Sequence, residues 1–133
     1  MEKIWLDNYE PGVPKSIDYP QKSLYSLFQE ASVRYQHNQA VHFMGRDLSY
    51  ADLASEVESF TCALVNLGVK KGDRVAIHLP NCTQFPIVFF ATLALGAIAV
   101  PFNPLYVARE MEYQLKDSGA ETIITLSRFY NMI

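Results

Sequence analysis

The sequence predicts an α/β fold, a parallel βαβαβ sheet flanked by helices, and three observations predict it. Strand candidates begin near Asp73, Ala97 and Glu121, with a helical segment between each pair, over residues 83–95 and 107–118. Strand, helix, strand at this spacing requires a crossover that returns the chain parallel to itself, and such crossovers are right-handed. The strands "VAIHL" and "AIAV" are almost continuously apolar, as strands covered on both faces are. Third, the stretch from Leu79 to Ala108 holds no Asp, Glu, Lys or Arg, yet Pro86, Gly96, Pro101 and Pro104 cut it into short pieces. A membrane-crossing helix needs about 20 consecutive apolar residues, so this run reads as one helix and one strand of a globular core.

The composition agrees. With 133 residues, 50% of them hydrophobic, and a net charge of −3, the chain suits one globular domain without a basic stripe for phosphate backbones. Nucleic acid is not an expected partner. The start "MEKIWLDNYEP" lacks the order of a secretory signal, so a cytoplasmic protein is expected. Cys62 and Cys82 then read as reduced core fillers; a reactive thiol at Cys82, near a helix N-terminus, is the sharper alternative.

In chain order, residues 1–22 carry Pro11, Pro14 and Pro20 among Trp5, Tyr9 and Tyr19, which suits an extended N-terminal arm held through its aromatics. It packs on its own body or exchanges with a second subunit. Residues 23–133 then form the domain. Ser23 is the expected N-cap of a first helix with Leu24, Phe28, Ala31 and Tyr35 on one face. "AVHFMGRDLSY" reads as a hairpin turning at Gly45.

Ser49 and Asp52 fit a capping box that opens a second helix, along which Leu53, Val57, Phe60, Leu64 and Leu67 form a stripe. Gly68 closes that helix and "VKKGD", with Lys70 and Lys71, is a solvated turn into the first parallel strand. The last helix ends at Gly119, before the strand "ETIIT".

In open parallel sheets, ligands bind beyond the carboxyl ends of the strands. The polar residues there are Asn81, Asn103 and Ser127, each of which also suits a cap or a turn. The six glycines form neither a G-x-G-x-x-G nor a Walker loop, so no phosphate cradle is visible. His37, His42 and His78 show no metal-ligand spacing, and His78, inside an apolar strand, reads as a satisfied core histidine. These residues define an α/β domain without a catalytic constellation.

Leu48 to Thr125, "LSYADLASEVESFTCALVNLGVKKGDRVAIHLPNCTQFPIVFFATLALGAIAVPFNPLYVAREMEYQLKDSGAETIIT", resembles the N-terminal part of the adenylate-forming (AMP-binding) enzymes. These comprise acyl-CoA synthetases, aryl-CoA ligases, luciferases and peptide-synthetase adenylation domains. "LSYADL" is similar to the family's early Leu-Thr/Ser-Tyr-x-x-Leu motif, and "LALGAIAVPFNP" to its Gly-Ala segment running into Val-Pro and Asn/Asp-Pro. The opening "KIWLDNYEPGVPKSIDYP" and the run "NPLYVAREMEYQLKDSGA" most resemble bacterial long-chain fatty-acid CoA ligases.

The resemblance implies a long-chain fatty acid as substrate and ATP, Mg²⁺ and coenzyme A as cofactors. Acyl-adenylate formation comes first, followed by displacement of AMP by the coenzyme A thiol. It also implies that the phosphate loop, the adenine-binding core and the catalytic lysine lie outside these residues, for Lys70 and Lys71 match a surface turn of the family. No catalytic, cofactor-binding or metal residue is therefore expected here, and the chain is expected to be an N-terminal piece, inactive alone, that binds no cofactor. An incomplete sheet with open edges is expected to self-associate, with a homodimer as one form. Peripheral contact with membranes, where long-chain acids partition, is compatible with the sequence. The rival readings are a stand-alone α/β binding module and a piece of an aryl-acid or amino-acid adenylating enzyme.

Overall fold

The computed structural model describes residues 3–132. Its elements are α1 (Leu24–Arg34), β1 (Gln39–Phe43), β2 (Arg46–Ser49), α2 (Tyr50–Asn66), β3 (Arg74–His78), α3 (Gln84–Ala94), β4 (Ile98–Pro101), α4 (Ala108–Ser118) and β5 (Thr122–Thr125). Short 3₁₀ turns cover Ile4–Asn8 and Ser127–Met132.

Each element begins and ends for a local reason. Ser23 Oγ accepts from the Ser26 amide at 3.0 Å and opens α1. The β1–β2 hairpin turns through Met44 and Gly45, both at positive φ. At α2 the capping box is complete, with Ser49 Oγ accepting from the Asp52 amide at 3.1 Å and Asp52 Oδ2 accepting from the Ser49 amide at 3.0 Å. This hydrogen bonding holds the Asp52 carboxyl below its ordinary pKa. Replacing Ser49 with Ala should therefore cost about 0.5–2 kcal/mol in stability, read as a lower urea midpoint with an unchanged slope.

The main sheet has the order β4-β3-β5 and is parallel throughout, with Val75 opposite Ala99 on one side and Thr122 on the other. The chain leaves β3 through α3, pairs as β4, then crosses back over β3 through α4 to pair as β5. Two right-handed crossovers in opposite directions put their helices on opposite faces, so the sheet is doubly wound. On one face Val75 and Ile77 of β3, and Leu79 just after it, meet α2 and α3, with Phe28 of α1 and Leu53, Val57 and Leu64 of α2 completing the core. On the other, Ala76 lies under α4 with Met111 and Phe102. The small residue at position 76 leaves room for Met111 over the middle of the sheet.

Four expectations need correction. Cys62 is exposed, because it lies on the outer side of α2, away from the Leu53–Val57–Leu64 stripe; Cys82 is half-buried against the β3 core. Leu67 is 70% exposed, since the chain turns off the core at Gly68. In α1 the inward edge is Phe28 and Ser32, while Leu24 and Tyr35 are exposed. The Ser32 hydroxyl donates to the Phe28 carbonyl at 2.8 Å, so a polar residue is tolerated where α1 meets its neighbours. Finally, Trp5, Tyr9 and Tyr19 of the N-terminal arm are exposed instead of packed on the body. The outer limits of the expected arm and domain, Met1, Glu2 and Ile133, lie outside the described residues.

Candidate functional site

The loop after β3 leads to α3 on one face of the sheet and the loop after β4 leads to α4 on the other. A crevice opens between two adjacent strands whose loops diverge in this way, and in this fold class that crevice takes the ligand. Its rims here are Leu79–Asn81 and Phe102–Pro104, and the second starts from the Phe102 amide donating to the Ile77 carbonyl of β3 at 2.9 Å.

The three polar residues expected at the strand ends do not converge. Asn81 is exposed in a groove of about 260 Å³ with Val41, His42, Cys82 and Phe85. Asn103 is occupied locally: its Oδ1 accepts from the Leu105 amide at 3.0 Å, which shapes the turn into α4. Ser127 is exposed at the start of a 3₁₀ turn. Of the charged candidates, Lys70 and Lys71 stay in the turn before β3, where the Lys70 amide donates to Asp73 Oδ2 at 2.7 Å. The Lys71 stem lies over Gly96, whose φ of +69° and lack of a Cβ admit it.

Of the histidines, His37 is exposed and His42, on β1, pairs with the Asp47 carboxylate of β2 at the surface. His78 is different. Fully buried at the end of β3, it has Nδ1 2.9 Å from Thr125 Oγ1 on β5, while Nε2 is buried without a hydrogen-bond partner. The core-histidine expectation is thus half met. The signal was present in the sequence: a histidine at the last position of a central strand, two residues after Ala76, must share the α4 face with it.

Burial lowers the His78 pKa from its ordinary value, with the Pro104 carbonyl acting weakly in the opposite direction. The unfolded chain therefore takes up the proton first as pH falls. Stability should decrease as pH drops below about 6.5, the unfolded value, and level off once pH passes below the folded value. Phe129 packs on the His78 ring with centroids 5.0 Å apart, and the Arg128 guanidinium lies 4.6 Å from the Phe129 centroid. Thermal midpoints measured across this window should slope for the native chain and lie flat for His78→Phe. Asp52 and Glu112, held low by Ser49 and Lys116, act at more acid pH.

A second, open groove of about 770 Å³ follows α4 and is lined by Tyr106, Arg109, Glu110, Tyr113 and Asp117. Its charges are of mixed sign, and Glu110 is engaged with the Val107 amide at 3.0 Å as a helix cap. Among the described residues no cluster of three or more His, Cys, Asp or Glu side chains is placed to hold a metal ion. No described helix is long and apolar enough to cross a membrane. The loops after β3 and β4, residues 79–83 and 102–107, contain no Gly, Lys or Arg, and Asn103 Oδ1 is engaged in its own turn.

The likeness to known proteins is extensive. The family model described as "AMP-binding enzyme" matches residues 28–132. A long-chain-fatty-acid--CoA ligase of Yersinia pestis is 43% identical over 131 residues, which is 97% of this chain and 23% of that protein. The chain thus spans about a quarter of the length of the curated relatives it matches. Among solved structures, the N-terminal subdomain of Klebsiella oxytoca NpsA superposes with a TM-score of 0.76 at 30% identity, covering 78% of this chain and 27% of that one. The N-terminal domain of FACL13 from Mycobacterium tuberculosis gives a TM-score of 0.79 at 28% identity, over 84% and 29% of the two chains. Sequence, strand order and structural likeness agree: this chain belongs to the family of AMP-binding enzymes.

Proposed function

We propose that these residues form part of the large domain of a long-chain fatty-acid CoA ligase, the whole of which uses ATP, Mg²⁺ and coenzyme A to convert a long-chain acid to its acyl-CoA thioester. The observation that carries this reading is the 43% identity to the Yersinia pestis ligase across 97% of the chain. The chain's own contribution is architectural: a doubly wound sheet whose crevice and loops support the chemistry supplied by other residues. We assign no catalytic, nucleotide-binding or metal-binding residue within it, and the isolated chain is inactive in this reading.

The test pairs two preparations. The native gene product, detected in its source cell with antibody to this chain, is expected to be several times larger than 15.1 kDa and to form palmitoyl-CoA and AMP from palmitate, ATP and coenzyme A. The purified chain is expected to release no palmitate-dependent pyrophosphate. A native product near 15.1 kDa would overturn the assignment in favour of a binding module. Activity of the large product on aryl acids alone would favour the aryl-adenylating reading, which the likeness to the NpsA N-terminal subdomain in complex with anthranilyl-AMSN supports at the lower identity of 30%.

Two features support self-association of the chain alone, as a homodimer in the simplest case. Both β4 and β5 are edge strands, and the arm presents Ile4, Trp5, Ile17 and Tyr19 to solvent. Sedimentation that returns a clean monomer at high concentration counts against it. The proposed location is the cytoplasm, with peripheral membrane contact where the acid is drawn from the bilayer.

A further inference from the structure

The two open edges of the sheet are not equivalent. Successive residues of a strand turn their backbone groups alternately to one side and the other, and in a parallel ladder a residue that bonds across lies opposite one that does not. The Ile98 and Phe102 amides donate to the Asp73 and Ile77 carbonyls, so Val75 and Ile77 of β3 face β4, while Ala76 and His78 face β5. The register then makes Ala99 and Pro101 the residues whose backbone groups point outward from β4, and Ile123 and Thr125 those of β5.

The edge at β4 is closed. Pro101 has no N–H to offer a further strand, and its carbonyl already accepts from Gln114 Nε2 at 3.3 Å. Gln114 Oε1 is buried as well, so this amide, carried by α4, lies down on the strand instead of standing in solvent. A proline and a covering side chain are means by which an edge is blunted against pairing. The edge at β5 has neither. Ile123 and Thr125 both carry an N–H, and no turn or loop hydrogen bond among the described residues uses their backbone groups. Thr125 bonds His78 through its hydroxyl, not its amide.

We propose that β5, and not β4, is the edge through which two copies of this chain join, antiparallel and about a two-fold axis at Ile124. The proposal rests on the self-association put forward above and names its surface; it does not depend on the ligase reading. A two-fold pair presents the same surface to itself, so the edge must be complementary to its own reverse. With the axis at Ile124, Ile123 of one copy meets Thr125 of the other, and such a pair exchanges both of its N–H···O bonds. The same arrangement of β4 sets Ala99 against Pro101, and every pair lacks a donor. Side chains agree with this choice. Residues 122–126 carry no charge, so no like charges meet across the axis. Ile124 meets its own counterpart and extends the apolar cluster that it joins with Ile77 and Leu79. Glu121 of each copy comes to the start of the other's 3₁₀ turn, where Arg128 offers the opposite charge, and both side chains are exposed.

Disulfide trapping and amide exchange test the edge, with sedimentation as the measure of association. Ile124→Cys and Val100→Cys are each made with Cys62 and Cys82 replaced by Ser. Opposite residues at the axis of such a pair lie about 4.5 Å apart at Cα, within the reach of a disulfide. Under mild oxidation Ile124→Cys should give a covalent dimer, and Val100→Cys should not. In the native chain, raising the concentration until about nine-tenths is dimeric should slow the Ile123 and Thr125 amides about tenfold, since they then exchange through the monomer, and leave the Ala99 amide unchanged. A dimer that Val100→Cys traps instead, or that protects Ala99, overturns the choice of edge while self-association stands. A dimer that neither cysteine traps and that leaves Ile123 and Thr125 unprotected assigns association to another surface, such as the exposed arm, and also overturns it. A chain that sediments as a monomer at every concentration removes the self-association reading together with this one.

Discussion

Ile77→Ala should lower the unfolding free energy by about 2–5 kcal/mol, the cost of removing a large aliphatic side chain from a site that cannot collapse. Ile77 is wholly buried in the central strand, between β4 and β5, and faces Leu79 and Val88 with Phe60, Phe85 and Phe89 around them. Its backbone is pinned on both sides by the parallel ladders, so the strand has no freedom to move into the space. Against a total stability of about 5–15 kcal/mol, such a loss brings the fold near its limit. Urea titration followed by circular dichroism measures it, and Ile77→Val, which deletes one methylene, should cost only about 0.5–1.5 kcal/mol. A small effect of Ile77→Ala would mean that the sheet repacks around position 77 and that β3 is not its rigid centre.

Phe28→Ala should cost about 3–5 kcal/mol, and its consequences should be local as well as global. Phe28 stacks on Phe90 of α3 with centroids 4.1 Å apart and touches the cluster containing Leu53, Val57 and Ala91. It is the main apolar anchor of α1, whose other buried residue is the polar Ser32. Without that ring, α1 holds too little apolar surface to stay docked, and a helix of 11 residues is marginal alone. Amide exchange should therefore accelerate throughout α1 before it does in β3. Uniform acceleration over both elements would show that α1 and the sheet unfold as one unit.

Much of this architecture was legible in the chain because local chemistry and global fold coincide. Ser49 and Asp52 three positions apart specify a helix start, and the box they form is complete. Gly68, Gly96 and Gly119 follow the last residues of α2, α3 and α4 with positive φ, as punctuation at a helix end requires. The apolar run around Ala76 identified the buried central strand, because such a strand needs no polar face, whereas β4, equally apolar, lies at the edge with Ile98 exposed.

The faces of helices were read less well where the apolar pattern is broad. Leu24, Phe28, Ala31 and Tyr35 have helical spacing, yet only Phe28 among them is deeply buried. Periodicity states that a stripe exists, while the neighbour's position decides which edge of the stripe is covered. Cys62 was misread for the same reason, and the arm's aromatics because an aromatic residue carries no record of what it packs on.

What the sequence by itself determined is the order of elements, their ends, the parallel crossovers and membership in the family, since each rests on residues close along the chain or on motifs of fixed spacing. What only the tertiary structure decided is the company of His78. Thr125 lies 47 residues further on, and Phe129 comes from the segment after β5. A parallel register brings them together at the strand ends, and register between distant strands is set by the summed packing of both sheet faces, which no local pattern encodes.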